Sequence, residues 1–428
     1  MQDAALRLKS LVEQLLGAPL PLRIRAWDGS EAGPPAAPVL VVRNRRAVRR
    51  LLWKPGELGL ARAWVAGDLG VEGDLYAALD LMSGLLWERG EDTRGVGEAL
   101  RDPEVRAALR GLVKLAGPLP PAPPAEEVRR RRHLHTKRSD RRAISHHYDV
   151  GNDFYEIVLG PSMVYSCAYW EDDGSLEDAQ RDKLELIARK LDLKAGQRLL
   201  DVGCGWGSMA IHAAREHGVS VVGVTLSQEQ AAYARKRVAD EGLTDRVEIR
   251  VQDYRDVTDG PYDAISSIGM AEHVGAERYL EYAETLRRLL RPGGRLLNHQ
   301  IARPPRRDES AYSVDEFIDA YVFPDGELAP VGTTVTQLER AGFEVRDVES
   351  IREHYALTLR RWVVNLEEQW TRAVRLTSPG RARVWRLYMA ASALAFEHNR
   401  IGVNQVLAVR TPEASGASGM PLRARDWN

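Results

Sequence analysis

Three glycines at alternate positions, Gly203, Gly205 and Gly207, follow an acid at the end of an apolar run in the segment LLDVGCGWG (Leu199–Gly207). Glycine has no Cβ, so it permits a tight turn and a close approach of backbone to ligand. A strand that turns through glycines into a helix, here Ser208–His217, is the nucleotide-binding opening of a doubly wound α/β fold. The spacing D-x-G-x-G-x-G departs from the dinucleotide pattern G-x-G-x-x-G. It suits S-adenosyl-L-methionine (SAM), which carries no pyrophosphate to seat on a helix N-terminus. An NAD enzyme would also place an acid after the second strand for the ribose hydroxyls. Here Val221–Val224 runs into Thr225–Leu226–Ser227, and the nearest acid, Glu229, lies on the following helix. Thr225 and Gln230 are therefore the candidates for polar contact with the ligand. After the third strand, Asp253 and Tyr254 put an acid and an aromatic where they would hold an adenine amino group and ring face.

The elements that must position these residues alternate strand and helix. Strands are predicted at Arg198–Val202, Ser220–Thr225, Val247–Gln252, Tyr262–Ile268, Gly294–Ile301, Phe343–Val348 and Val403–Val409. Helices intervene, notably Glu229–Glu241 and Ala276–Leu290, with a long helical insert at Ala356–Arg400 before the last strand. This predicts an α/β fold: an open, seven-stranded, Rossmann-like sheet with helices on both faces, over 141–410, which the family resemblance given below makes a SAM-dependent methyltransferase domain. Residues 1–117, with a helix at Leu6–Leu16 and strands at Leu22–Trp27 and Val39–Val42, read as a small α+β accessory or lipid-contacting domain. Residues 118–140 read as a linker, proline-rich in Gly117–Pro124 and then basic, and 411–428 as a disordered tail.

Composition narrows the class. The 428 residues carry a formal net charge of −1, and no apolar stretch approaches the roughly 20 residues that span a bilayer. The near-neutral total hides Arg129–Arg142, with eight basic side chains against one acid. Such a run is either a solvated linker or a patch for anionic headgroups. Nothing near it resembles a base-reading module, so nucleic acid is not an expected partner. The two cysteines, Cys167 and Cys204, are too few for a disulfide framework and read as free thiols of a cytoplasmic protein. The histidines and cysteines lack metal-ligand spacing in the sequence, so no metal is expected.

From about Ala143 to Arg410 the chain resembles the cyclopropane-fatty-acyl-phospholipid synthases, SAM-dependent lipid methyltransferases that include the mycolic acid cyclopropane synthases. The resemblance rests on SHHYDVGNDFY (Ser145–Tyr155), MVYSCAYW (Met163–Trp170), LLDVGCGWG, VVGVTLSQEQ (Val221–Gln230), QDYRDV (Gln252–Val257) and GMAEHVG (Gly269–Gly275). NHQI (Asn298–Ile301), YVFPDGELAP (Tyr321–Pro330) and HYALTLRRW (His354–Trp362) extend it. It implies transfer of the SAM methyl carbon to the double bond of an unsaturated phospholipid acyl chain, through a carbocation. An alkene is a weak nucleophile, so such a site must exclude water, align the sulfonium and supply a base. The resemblance implies that this base is a bound bicarbonate, held by Cys167, Glu272, His299, Ile301 and Tyr355. It implies SAM contacts from Tyr165, Ser166, Gly203, Thr225, Gln230 and Tyr254, with Gly205 in the same loop. His147, Tyr148 and Tyr155 are expected on a helix that closes over the ligand.

Each residue of the implied base site also has a purely structural reading. Cys167 reads as a small buried hydrophobe, His299 as a core histidine, Glu272 as a helix cap and Tyr355 as core. Phe317–Phe323 and the tryptophans of the helical insert read equally as acyl channel or ordinary core. Two departures from the family pattern bear on product: Ala271 stands where a phenylalanine is common, and Asn298 where a leucine is common. The first domain resembles actinobacterial relatives, some of which make a 10-methylene branch after a hydride shift; a partner reductase then converts it to a methyl. The cyclopropane is the expected product and the methylene branch the alternative. A peripheral, cytoplasmic enzyme on an anionic membrane surface is expected, with a homodimer as a further candidate partner. A methyltransferase of a small soluble substrate would not need the basic run, the first domain or the base site. A non-catalytic lipid binder would have lost Glu272, His299 or Tyr355.

Overall fold

Two sets of alternating apolar residues build two separate sheets. The computed structural model describes residues 3–16, 18–87, 102–128, 150–171, 174–309, 312–324 and 326–423, with the side chains of 85–87 set aside. The chain forms two compact units. One comprises Met1–Arg130, Asp315–Val322 and Thr377–Leu394; the other comprises Arg131–Val314, Phe323–Leu376 and Ala395–Asn428.

In the first unit, β1 (Arg23–Arg25), β2 (Glu31–Ala32), β3 (Val39–Val42) and β4 (Leu69–Glu72) form a sheet in the order β2-β1-β3-β4. Helices α1 (Ala4–Leu16), α2 (Arg46–Trp53), α3 (Glu57–Val65), α4 (Leu75–Trp87) and α5 (Pro103–Ala116) complete it. Its core joins Ala5 and Leu8 of α1 to Ile24, Val42, Val48, Ala63 and Leu112. A buried ion pair sits beside this core: Arg50 Nε donates to Asp68 Oδ2 at 2.9 Å, and Asn44 Nδ2 donates to Asp68 Oδ1 at 2.7 Å.

The domain boundaries differ from the sequence reading. The proline-rich stretch expected to be a free linker is tied down through 128: Trp53 Nε1 donates to Pro118 O at 2.8 Å and Arg50 Nη1 to Ala122 O at 2.7 Å. Glu127 takes a bidentate pair from Arg62, at 2.7 and 2.5 Å, and a bond from Tyr321 OH at 2.8 Å. Carbonyls that proline leaves without a ladder still need donors, and the long side chains of α2 supply them. Trp64 Nε1 donates to Arg383 O at 3.0 Å, so this unit also claims part of the helical insert. The basic run beyond 128, with His147 and Tyr148, lies outside the described residues.

The second unit carries the seven strands expected: β5 (Arg198–Val202), β6 (Ser220–Thr225), β7 (Val247–Val251), β8 (Tyr262–Ile268), β9 (Leu290–Ala302), β10 (Glu344–Ser350) and β11 (Gly402–Val409). Their order is β10-β11-β9-β8-β5-β6-β7, with β5 to β9 parallel and β11 antiparallel to both β9 and β10. Leu199, Val221, Ile249 and Leu297 face one way, against α7 (Leu176–Leu191), α8 (Ser208–His217) and α9 (Gln228–Asp240). Leu200, Val222, Val224 and Leu296 face the other way, against α10 (Tyr279–Leu289) and α11 (Val331–Arg340). Side chains alternate with period two, so a sheet covered on both faces reads as continuous apolar runs. The chain leaves β5 for β6 and β7, then crosses back to β8. That reversal opens a crevice beyond the carboxyl ends of the strands.

The helical insert consists of α12 (Arg352–Glu368), α13 (Trp370–Leu376) and a helix at Pro379–Glu397. Past β11, the segment expected to be disordered is described as far as 423, mostly exposed but anchored at two points. Thr411 Oγ1 donates to Glu344 at 2.6 Å, and Met420 lies against the sheet core.

Candidate active site

The glycine loop is shaped by two backbone bonds: Gly203 N and Cys204 N both donate to Val224 O, at 2.9 and 3.0 Å. This folds the end of β5 onto β6 and forces the left-handed region, with φ +76° at Gly203 and +52° at Gly205. Gly205 has open space where a Cβ would stand, so the loop leaves its backbone accessible on that side. Helix α8 starts at Ser208, and Ser227 caps α9 by accepting from Gln230 N at 3.2 Å.

One cavity opens at this switch point. All eight residues expected to contact the cofactor line it: Tyr165, Ser166, Gly203, Gly205, Thr225, Gln230, Asp253 and Tyr254. Thr225 Oγ1 donates to Gln230 Oε1 at 2.9 Å, so these two act as one polar wall. Asp253 is held by Arg255, which donates from Nε at 2.8 Å and from Nη2 at 2.7 Å. Tyr254 packs edge-on against Tyr282. Met163, at φ +51°, turns the chain into the segment that carries Tyr165 and Ser166.

None of the five residues expected to hold the base is among those lining the cavity. Glu272 Oε1 accepts from Ile301 N at 2.8 Å. His299 lies two residues earlier on β9, on the same face of the strand as Ile301. Its Nδ1 stands 3.4 Å from Gln405 Nε2 of β11. Cys167 Sγ donates to Ala168 O at 3.1 Å and to Ile351 O at 3.6 Å. Ile351 N in turn donates to Val403 O at 3.0 Å, and Val403 is the register partner of Ile301. Tyr355, one turn into α12, packs on Phe396 at 4.7 Å between ring centroids. A continuous set of contacts thus links Cys167 to Glu272.

Burial sets the protonation of this layer. It pushes the Glu272 carboxyl up to about 7, against which the Ile301 N–H pulls down. It holds His299 well below its ordinary value, with the positive charges of Lys183 and Lys190 adding to the effect, so the imidazole is neutral. It raises the Cys167 thiol, which rules out a thiolate near neutral pH. Glu272 Oε2 and His299 Nε2 are both buried without a hydrogen-bond partner among the described residues.

Asn298, flagged by its departure from the family pattern, faces the opposite side of β9. It accepts from Tyr282 OH at 3.0 Å and donates to Gln300 Oε1 at 2.7 Å, away from His299.

The family model described as mycolic acid cyclopropane synthetase matches residues 135–406. The chain belongs to this family. It is 47% identical over 418 residues to a probable fatty acid methyltransferase of Mycobacterium tuberculosis (strain ATCC 25618 / H37Rv), covering 94% of each chain. To the cyclopropane-fatty-acyl-phospholipid synthase of Escherichia coli (strain K12) it is 40% identical over 267 residues, 62% of this chain and 67% of that one. Its fold matches a mycolic acid cyclopropane synthase complexed with SAH and CTAB, with a TM-score of 0.60 and 33% identity over 63% of this chain and 98% of that one. The enzyme is a SAM-dependent methyltransferase that modifies lipid acyl chains, with SAM as the methyl donor.

Sequence reasoning missed Lys183 and the site role of Asp201. Lys183 is fully buried on α7 and lines the cavity, and its Nζ donates to Ser166 Oγ at 2.8 Å. Burial lowers this amine to about 7, with Cys167 and Asp201 opposing. Asp201 Oδ1 accepts from Ser266 Oγ at 2.7 Å, and burial raises the carboxyl to about 6. A signal for Lys183 existed: Leu176, Ala179, Lys183, Ile187 and Lys190 share one buried stripe of α7. His273, also on the lining, is pushed down to about 4 by burial alone.

Proposed function

We propose that the enzyme is a cyclopropane synthase of unsaturated phospholipid acyl chains. In this reaction a methyl carbon leaves the SAM sulfonium for one alkene carbon, the other becomes a cation, and loss of one methyl proton closes the ring. The eight cavity residues bind SAM in this reading. Asp201 Oδ2, buried without a partner among the described residues, faces the same neighbourhood as a polar anchor. Lys183 holds the Ser166 side of the cavity.

The observation that carries the base assignment is the pair of buried, unpartnered atoms, Glu272 Oε2 and His299 Nε2. Orphaned polar atoms in a dry layer cost about 1–3 kcal/mol each unless a small polar group satisfies them. Bicarbonate fits this donor set. Neutral His299 presents a nitrogen without adding positive charge, and Glu272, with its carboxyl raised to about 7, carries a proton to share with an anion. When bound there, it would supply the acceptor for the proton that the methylated cation loses. Glu272, His299, Cys167, the Ile301 backbone and Tyr355 would hold it, and the burial of Cys167, His299 and Tyr355 would help keep out water that would otherwise trap the cation.

A methylene-branched product is the second reading. It is favoured by the reach of the comparisons: the probable fatty acid methyltransferase matches 94% of this chain, whereas the cyclopropane-fatty-acyl-phospholipid synthase matches 62%. Association with the membrane is proposed to be peripheral and cytoplasmic. Among the described residues no helix is long and apolar enough to cross a membrane, and Arg129–Arg142 offers charge for anionic headgroups.

The test is incubation of the pure enzyme with SAM, bicarbonate and vesicles of monounsaturated phospholipid, followed by mass spectrometry and proton NMR of the acyl chains. Gain of one CH₂ with upfield ring protons is expected. The same gain with vinylidene protons would replace the ring with the methylene branch. SAM binding with no gain on any monounsaturated phospholipid would refute the phospholipid acceptor.

A further inference from the structure

On the outer side of α7, away from the cavity, one carboxylate and two imidazoles converge. Glu185 Oε2 stands 3.2 Å from His212 Nε2 and 2.9 Å from His217 Nε2. The ligand atoms of all three residues lie within 4.8 Å of one another. We propose that Glu185, His212 and His217 form a binding site for one divalent transition-metal ion, with zinc as its best match, that staples α7 to the C-terminal end of α8.

The chemistry is that of a two-histidine, one-carboxylate donor set. Zinc takes histidine nitrogen at about 2.0–2.1 Å and carboxylate oxygen at about 2.0–2.2 Å in tetrahedral sites, leaving a fourth position to water. Neighbouring ligands of such a tetrahedron stand about 3.3 Å apart by that geometry. The two measured carboxylate–imidazole separations fall beside that value, so little movement is needed to admit an ion. Imidazole with carboxylate suits zinc, copper and nickel, whereas magnesium and calcium demand oxygen.

Three features support a built site. The second oxygen of Glu185 accepts from Arg189 Nε at 2.8 Å, which fixes the carboxylate as a second-layer donor does in metal centres. His217 is the last residue of α8, where the partial negative charge of the helix end favours a cation. His212 is buried while Glu185 and His217 are part-exposed, so an ion has a firm floor and a route in from solvent. The histidines are five residues apart on one helix, a spacing that does not align on a regular helical face. His217 reaches its partner because α8 ends there and Gly218 turns left-handed. That is why the sequence did not show the site.

The test uses the full-length enzyme, stripped with a chelator and titrated with zinc chloride by calorimetry and with cobalt chloride by visible absorption. One equivalent of zinc bound at micromolar or tighter affinity is expected, with a cobalt d–d band of a four- or five-coordinate N/O site. Affinity should fall at least tenfold in both His217→Gln and Glu185→Gln, and a zinc-dependent rise in melting temperature should disappear. Glu185→Gln keeps a hydrogen-bond acceptor for both imidazoles, so it separates metal ligation from simple bonding; either variant suffices if the other fails to fold. Absence of stoichiometric zinc binding, or wild-type affinity in a folded variant, would overturn the proposal. The latter outcome would move the ion elsewhere, for instance to a thiol.

Discussion

Glutamine in place of Glu272 removes a titrating proton from a carboxyl whose Oε2 is buried, while keeping an oxygen for the Ile301 N–H. Burial raises this group from 4.5 to about 7. At about 1.4 kcal/mol per pH unit, the rise costs the folded enzyme about 3 kcal/mol wherever the unfolded chain is ionised. Below pH 4.5 the carboxyl is protonated in both states and contributes nothing. Between pH 4.5 and about 7 the unfolded chain sheds its proton and the folded chain keeps it, so stability falls as pH rises. Above about 7 the full penalty is in place. Urea unfolding of wild type and Glu272→Gln at pH 5 and pH 8 measures this directly. The variant should gain on wild type by about 2.5 kcal/mol between the two pH values, while turnover falls about a hundredfold or more. SAM affinity should be unchanged. A stability difference that is the same at both pH values would refute the reasoning, because Glu272 would then not be an acid kept protonated by burial.

Four further outcomes are expected. Lys183→Met should weaken SAM binding by about five- to tenfold in calorimetry, because it removes the bond of about 1 kcal/mol that holds Ser166. Gly203→Ala should cost about 1–2 kcal/mol in chemical denaturation and reduce SAM affinity, since φ is +76° and the new Cβ would stand 3.3 Å from Met270 Cβ. Arg50→Met should cost about 3 kcal/mol by leaving Asp68 buried without its main counter-charge, read as a lower urea midpoint. Neutralising Arg129–Arg132 should weaken sedimentation with anionic vesicles at low salt and leave SAM affinity intact; unchanged sedimentation would return that run to a solvated linker.

The strand positions and the glycine loop were legible because both obey local rules. The short apolar run Val221–Val224 reads as a strand covered on both faces, and the spacing D-x-G-x-G-x-G reads as a glycine turn, which the structure shows with left-handed glycines. Thr225, Gln230, Asp253 and Tyr254 could be named from their places after the second and third strands, whereas Tyr165 and Ser166 came from the family resemblance; all line the cavity. The base layer came from motif resemblance alone: nothing in the chain order of Cys167, Glu272, His299 and Tyr355 says that Ile351 and Val403 bridge them. Lys183 was passed over because a lysine in a polar-looking helix is read as solvated, although it falls on the stripe of α7 that carries Leu176, Ala179 and Ile187. The proline-rich stretch misled for a related reason. Proline composition predicts an extended chain, and it is silent on whether α2 offers donors to that chain.

The first unit is assembled from three separated pieces of sequence, the last ending at Leu394. During synthesis its four strands emerge early, but Trp64 waits for Arg383 and Glu127 for Tyr321. The core of this unit lies within residues 4–116, so the later pieces add to a core whose residues have already emerged. A protein truncated at the proline-rich stretch would lack the two later pieces of this unit and leave the Trp64 indole N–H without its Arg383 carbonyl, so the genetic boundary of the unit is not a single cut in the sequence.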